Sequence, residues 1–134
     1  MIVVDASAIV AILAEEPDAK KLIAALENAD NASTSPISVY EAVLGLRRSR
    51  QCSIAEAKAD VAEFLEIARV EVVALAAASA DCALLAFERF GKGGGHPARL
   101  NLGDCFAYSL AKASNSPLLF KGDDFSATDL KSAD

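Results

Sequence analysis

The sequence predicts an α/β fold, a parallel β-sheet of four or five strands flanked by helices. Short apolar runs alternate along the chain with longer segments whose apolar residues recur at helical spacing. Strands that alternate with helices are joined by crossovers and form a parallel sheet. Of the 134 residues, 53% are hydrophobic and only 6% aromatic, which is typical of helices packed on a sheet through small aliphatic side chains. This length fits one domain, residues 1–134.

The predicted elements follow one another in a regular order. Strands are expected at residues 2–4, 32–35, 70–75 and 118–120. Helices are expected at residues 7–14, 18–29, 36–48, 53–68, 76–90 and 102–113. Pro36 suits the start of the third helix because its missing N–H costs nothing there. The glycine-rich segment 91–97 ends the fifth helix.

Charge and composition exclude several classes of protein. The net charge of −6 argues against bulk affinity for nucleic acid, but not against a nuclease whose acidic residues bind metal ions. No apolar run approaches the roughly 20 residues of a membrane span, and Asp5 interrupts the apolar N-terminus, which therefore reads as a strand and not as a signal peptide. Three cysteines without metal-ligand spacing favour free thiols in a reducing cytoplasm over a zinc site.

Four acidic residues lie where predicted strands end and helices or turns begin. Asp5 follows the first strand, Asp123 follows the last, and Glu41 and Asp104 lie in the first turns of two predicted helices. The carboxyl ends of parallel strands face one crevice, where ligands bind in open α/β sheets. Carboxylates gathered there repel one another, so the cluster predicts a hard cation such as Mg²⁺ or Mn²⁺.

Each acid also has a purely structural explanation. Residues 38–41 and 101–104 both resemble helix capping boxes, in which the acid caps the helix. Residues 53–56 form a similar box without any sign of chemistry, so capping alone accounts for Glu41 and Asp104 taken singly. Asp5 could likewise cap a helix, and Asp123 could be a turn residue. Only the shared location of all four favours a functional site.

Several polar residues nearby have two interpretations as well. Ser7 either caps a helix or holds Asp5, and Asn101 either caps a helix or orients Asp104. His96, the only histidine, is interpreted as a plain loop residue. The arginine cluster at positions 47, 48 and 50 is either a solvated helix end favoured by the macrodipole or a substrate contact.

Taken together, these segments resemble a known family, the PIN domain, over essentially the whole chain. The matching segments are residues 2–8, Glu41 in the third helix, residues 95–98 and 100–108, and residues 120–125 with 128–130. The strongest resemblance is to the VapC-type toxins of bacterial toxin–antitoxin pairs. The family's acidic positions fall on Asp5, Glu41, Asp104 and Asp123. Asp124 adjoins the fourth position, and we prefer Asp123, with Asp124 in a supporting role.

The resemblance implies a Mg²⁺- or Mn²⁺-dependent endoribonuclease of type II toxin–antitoxin systems. Its carboxylates would hold one or two ions, water would attack phosphorus, and the substrate would be RNA. Ser7, Asn101 and Asp124 would support the four acids. Implied partners are a VapB-type antitoxin and a second copy of the chain. Apolar residues of the first two helices offer a surface for association, or they pack on the sheet.

Two other functions compete with the nuclease. Residues 121–124 resemble the late acidic motif of haloacid-dehalogenase-type phosphatases, but that class needs an Asp two residues after its nucleophile, where this chain has Ser7. A receiver-like phosphoacceptor module has a similar length and an acidic metal pocket. Receivers place paired acids after the first strand, where this chain has the single Asp5.

Overall fold

The computed structural model describes residues 1–134, and its elements alternate as predicted. The strands are β1 (Ile2–Val4), β2 (Ala32–Thr34), β3 (Val70–Val72) and β4 (Leu118–Leu119). The helices are α1 (Ala6–Leu13), α2 (Ala19–Glu27), α3 (Pro36–Arg50), α4 (Ile54–Ile67), α5 (Ser79–Phe90) and α6 (Leu102–Ala113). None of these helices combines the length and the hydropathy that a membrane span needs.

The four strands form one parallel sheet in the order β3-β2-β1-β4. Ile2 lies opposite Ala32, and Val3 lies opposite Leu118. The predicted parallel α/β architecture is therefore confirmed. Because β1 is flanked on both sides, the residue that follows it, Asp5, lies in the middle of the carboxyl edge of the sheet.

Helices cover both faces of the sheet. Successive side chains of β1 point to opposite faces and all are buried, so both faces need a covering layer. Ile2 and Val4 belong to a core cluster of 16 buried residues that includes apolar side chains of α1, α3 and α4. Val3 points the other way, into a cluster of 13 buried residues formed with α5 and α6. The carboxyl edge of the sheet is thus fixed between two packed layers.

The helix boundaries follow from local capping. The Ser35 side chain accepts a hydrogen bond from the Ser38 N–H at the start of α3, and Pro36 occupies the first turn. The α3 helix continues two residues beyond the predicted end, to Arg50, and stops at Gln51, whose φ of 53° is left-handed. Ser53 caps α4 by accepting from the Glu56 N–H, as the sequence predicts.

The third strand is shorter than predicted, and the helix after it begins later. Val73 N–H donates to the carbonyl of Thr34, the last residue of β2. Beyond that point β2 has turned into α3, so residues 74–75 have no strand to pair with. The segment 76–78 forms a turn ahead of α5, which begins at Ser79 without a side-chain cap.

Candidate active site

Asp5 is a buried carboxylate at the end of β1. Its side chain is 3% exposed, and it caps α1, with Oδ2 accepting from the Ser7 N–H at 3.0 Å and from Ser7 Oγ–H at 2.6 Å. Ser7 Oγ also accepts from the Lys121 N–H at 3.0 Å. Ser7 therefore links Asp5 to the chain that leaves β4. The interpretation of Ser7 as the helix cap is wrong, because Asp5 itself is the cap.

The other oxygen of Asp5, Oδ1, is buried and has no hydrogen-bond partner. A buried acceptor left without a partner costs free energy, more so when it is charged. Burial is also the largest reason why the pKa of Asp5 is raised above its ordinary value. The structure thus leaves one carboxylate oxygen at the edge of the sheet without a counter-charge.

Glu41 lies on α3 with its carboxylate pressed against Gly103, the second residue of α6. A Cβ atom on Gly103 would overlap the Glu41 carboxylate. Glu41 is not part of a capping box, because α3 begins at Pro36 and Ser35 is its cap. The interpretation of Glu41 as a helix-capping residue is therefore wrong. Burial and the charge of Asp5 raise the pKa of Glu41.

Asp104 lies in the first turn of α6 and does form a capping box. Asn101 Oδ1 accepts from the Asp104 N–H, and Asp104 Oδ2 accepts from the Asn101 N–H, both at 3.0 Å. Burial raises the pKa of Asp104 to about 7, and the charges of Asp5, Asp124 and Glu41 add to the rise. The cap uses Asp104 Oδ2 and leaves Oδ1 for another partner, so Asp104 can cap α6 and bind a ligand at the same time.

These three acids meet at one cavity of about 330 Å³ at the carboxyl edge of the sheet. Its other charged lining residues are Glu16, Arg48 and Lys121. Lys121 forms an ion pair with Glu16 at the rim. Glu16 was not among the residues predicted for the site, since nothing in its motif distinguishes it from an ordinary helix-end acid.

The two neighbouring aspartates after β4 differ in their relation to the site. The charge of Asp124 raises the pKa of both Asp5 and Asp104, two residues that line the acidic cavity. Asp123 instead lines a separate cavity with Asp18 and Lys21. Asp123 as the fourth acid stays a prediction. The structure brings Asp5, Glu41 and Asp104 together as lining residues of the acidic cavity, and neither Asp123 nor Asp124 lines it.

The acidic cavity suits a divalent cation in its chemistry. Its donors are carboxylate oxygens, which Mg²⁺ and Mn²⁺ prefer, and Asp5 Oδ1 is buried without a partner. In the present side-chain conformations no three acidic, histidine or cysteine residues are arranged to hold one ion. Mg²⁺ is usually held by one or two carboxylates and completes its coordination with water.

His96 and the cysteines take no part in this cavity. His96 Nδ1 accepts from the Ala98 N–H at 3.0 Å, and its ring packs edge-on against Phe90 at 5.0 Å. The interpretation of His96 as a loop residue fits this structural role. The three cysteines are free thiols, as predicted, and burial raises the pKa of Cys105 to about 11.

An exposed apolar groove lies on α5 and α6, whereas most apolar side chains of α1 and α2 pack in the core. Ile9, Ile12 and Leu22 are buried in the core, so the first two helices mostly pack on the sheet. Leu84 is 66% exposed and Leu102 is 67% exposed. They belong to an apolar groove of about 380 Å³, whose lining residues are Ala80, Ala83, Leu84, Phe87, Leu102, Cys105 and Phe106.

Comparisons with known proteins agree with this geometry. A model of the PIN domain family matches residues 2–131. A VapC ribonuclease of Rhizobium meliloti is 44% identical, over 95% of this chain and 97% of the relative. A ribonuclease VapC of Mycolicibacterium smegmatis is also 44% identical, over 96% of each chain. A VapC ribonuclease of Mycobacterium bovis is 40% identical, over 98% of each chain.

Two solved structures share the fold at lower sequence identity. VapC20 of Mycobacterium tuberculosis, described as a Sarcin-Ricin loop cleaving toxin, superposes with a TM-score of 0.70 at 24% identity, covering 97% of this chain and 96% of that one. A toxin–antitoxin complex from Klebsiella pneumoniae gives a TM-score of 0.68 at 12% identity, over 96% of this chain and 93% of that one. These identities are too low to carry more than the fold. The family match and the relatives at 40–44% identity over nearly the full chain place this chain in the PIN domain family, among the VapC ribonucleases.

Proposed function

We propose that this protein is a Mg²⁺- or Mn²⁺-dependent endoribonuclease and the toxin of a type II toxin–antitoxin pair. The observation that carries the proposal is the unpartnered, buried Asp5 Oδ1 in a cavity shared with Glu41 and Asp104. Among relatives 40–44% identical, several are VapC ribonucleases. The site and the family therefore point to the same chemistry.

The ligands of the cation would be Asp5, Glu41, Asp104 and Asp124. We propose Asp124 in place of Asp123 as the fourth acid, because the charge of Asp124, and not that of Asp123, is among the causes that raise the pKa of Asp5 and Asp104. When bound, the cation would supply the Lewis acidity that lets water attack the phosphodiester. The chain itself contributes positioning, since each of Asp5 and Asp104 is oriented by hydrogen bonds to one oxygen.

Ser7 and Asn101 would act on the reaction only through the acids they hold. Ser7 donates to Asp5 Oδ2 and accepts from the Lys121 N–H, so it fixes Asp5 relative to the segment that carries Asp124. Asn101 fixes the first turn of α6 and with it the direction of Asp104. Partners that orient metal ligands in this way typically change metal affinity by about 10–100-fold when removed.

The partner that would inhibit the enzyme is a VapB-type antitoxin. The apolar groove between α5 and α6 contains Leu102 and Cys105, which flank Asp104 on either side in the sequence. An antitoxin segment lying in this groove would bury its apolar side chains and place a basic residue within reach of the acidic cavity. The homodimer that the resemblance implies stays a prediction, with light scattering as its test.

The experiment that tests the function is RNA cleavage by the purified protein. We expect cleavage of bacterial RNA with Mn²⁺ or Mg²⁺, loss of cleavage with EDTA, and recovery when Mn²⁺ is returned. Melting provides a second readout, because a cation that binds only the folded state stabilises it by about 2.7 kcal/mol at a concentration 100 times its Kd. Cleavage that persists in EDTA, or no upward shift in Tm with Mn²⁺, would overturn the metal-dependent mechanism.

A further inference from the structure

The three arginines at the end of α3 have different environments. Arg50 forms an ion pair with Asp60 at 3.0 Å and donates to the Leu13 carbonyl, so it ties α3 to α4 and α1. Arg47 is exposed and lies outside the acidic cavity. Arg48 lines that cavity together with Asp5, Glu41 and Asp104. Only Arg48 therefore has a position related to the chemistry.

The face of α3 that carries Arg48 explains this position. Glu41, Gly45 and Arg48 are spaced four and three residues apart, so they lie on one face of the helix, and all three line the acidic cavity. A Cβ on Gly45 would lie 2.9 Å from Val10 Cγ2, closer than real side chains allow. The small residue lets α1 and α3 approach closely, which brings Arg48 beside the cavity that begins at Asp5.

Arg48 forms no ion pair with the carboxylates of the cavity. It forms no salt bridge, whereas the other cation of the cavity, Lys121, is paired with Glu16. Its guanidinium is thus free in a cavity whose carboxylates would repel a nucleic acid backbone. A guanidinium offers two parallel N–H groups to a phosphate, and this bidentate geometry is stronger and more specific than a lysine contact.

We propose that Arg48 binds a backbone phosphate of single-stranded RNA at the acidic cavity. The inference rests on the proposed ribonuclease function and names the residue that holds its substrate. Arg48 offsets the repulsion of the carboxylates on one side of the cavity and so fixes the RNA beside Asp5 and Asp104. Arg47, one position earlier, carries the same charge on a different face and contacts no phosphate in the cavity.

The test is the salt dependence of RNA binding. A fluorescein-labelled oligouridine is titrated with the Asp5→Asn protein in Mn²⁺, so that the RNA stays intact, alone and combined with Arg48→Gln, Arg48→Lys or Arg47→Gln. Removing one phosphate interaction with a single strand lowers the slope of log K against log salt by about 0.7. We expect this drop with Arg48→Gln, an unchanged slope with Arg47→Gln, and a slope near that of the parent with Arg48→Lys.

Equal slopes for Arg48→Gln and its parent overturn the inference, as does an equal drop with Arg47→Gln, which would show a bulk charge effect. A parent protein that does not bind oligouridine overturns it as well. If Asp5→Asn does not fold, the same comparison is made on the wild-type protein in EDTA. The ribonuclease function is judged separately, from the cleavage of RNA by wild-type protein, so the two hypotheses can fail independently.

Discussion

The Glu41 carboxylate lies directly against the Cα atom of Gly103, so that α3 and α6 meet at the acidic cavity with no room for a side chain between them. The two residues lie 62 positions apart in sequence, and their helices cover opposite faces of the sheet. Their contact sets where the Glu41 carboxylate stands relative to Asp104, which immediately follows Gly103. A glycine at the start of a helix is therefore a requirement of the site.

Gly103→Ala should lower both RNA cleavage and stability, because the new Cβ displaces the Glu41 carboxylate. Without that contact, Gly→Ala in a helix stabilises by up to about 1 kcal/mol. In a Glu41→Ala background we therefore expect Gly103→Ala to be neutral or stabilising. Urea unfolding of the four proteins of this double-mutant cycle measures the coupling. The same effect of Gly103→Ala in both backgrounds would show that the contact is unimportant.

Asp124→Asn should reduce cleavage by orders of magnitude, whereas Asp123→Asn should leave it near the wild-type rate. The physical reason is location, since the charge of Asp124 acts on Asp5 and Asp104, whereas Asp123 lines another cavity. The two variants remove the same charge at adjacent positions, so each is the other's control. A larger loss with Asp123→Asn would return the fourth acid to the position favoured by the family motif.

Without metal, the protein should lose stability as the pH rises from about 4 to about 7. The pKa of Asp104 is raised from 3.8 to about 7 in the folded state, so over this range the folded protein holds a proton that the unfolded chain has released. The raised pKa values of Asp5 and Glu41 act in the same direction. Melting in EDTA across this range should show a shallower decline for Asp104→Asn than for wild type.

If Tm declines with pH equally in wild type and Asp104→Asn, Asp104 does not titrate in this range. Added Mn²⁺ should remove most of the decline in the wild-type protein, because a cation bound to the carboxylates favours their charged forms.

Leu84→Ser, in the apolar groove, should weaken co-purification with a small partner expressed from the native operon. Ile67→Ser is the matched control, because Ile67 is 73% exposed on α4 and lies outside the groove. Affinity purification followed by light scattering measures both the partner and the number of copies. A strict monomer that brings down no small protein would leave the ribonuclease standing but remove the assignment to a toxin–antitoxin pair.

Much of the fold was accessible from sequence because its signals are local. Apolar periodicity and caps such as Ser53 predicted the order of the strands and helices, and the parallel sheet followed from their alternation. The end of β3 was misplaced because it depends on where β2 stops, which is a contact between segments distant in sequence. Strand pairing of this kind leaves no mark in the residues of β3 itself.

The sequence predicted which acidic residues meet at the site, but not how the side chains around them are placed. Asp5, Glu41 and Asp104 do meet, since the carboxyl ends of parallel strands share one edge. Asp123 and Asp124 are adjacent in a segment without regular structure, so no periodicity distinguishes their relation to the site. The role of Gly103 was equally hidden, because a glycine within a capping motif gives no hint of the carboxylate that packs against it.

The most direct test of the acidic site compares RNA cleavage by Asp104→Asn and Glu56→Gln. Both residues lie in the first turn of a capped helix, but only Asp104 lines the acidic cavity. The amide oxygen of Asn can still accept from the Asn101 N–H, so Asp104→Asn removes the charge and keeps the cap, and Glu56→Gln costs at most about 1 kcal/mol. We expect cleavage in Mn²⁺ to fall by orders of magnitude in Asp104→Asn and to stay near wild type in Glu56→Gln. Cleavage by Asp104→Asn at the wild-type rate, or equal losses in the two variants, would contradict a catalytic role for these carboxylates.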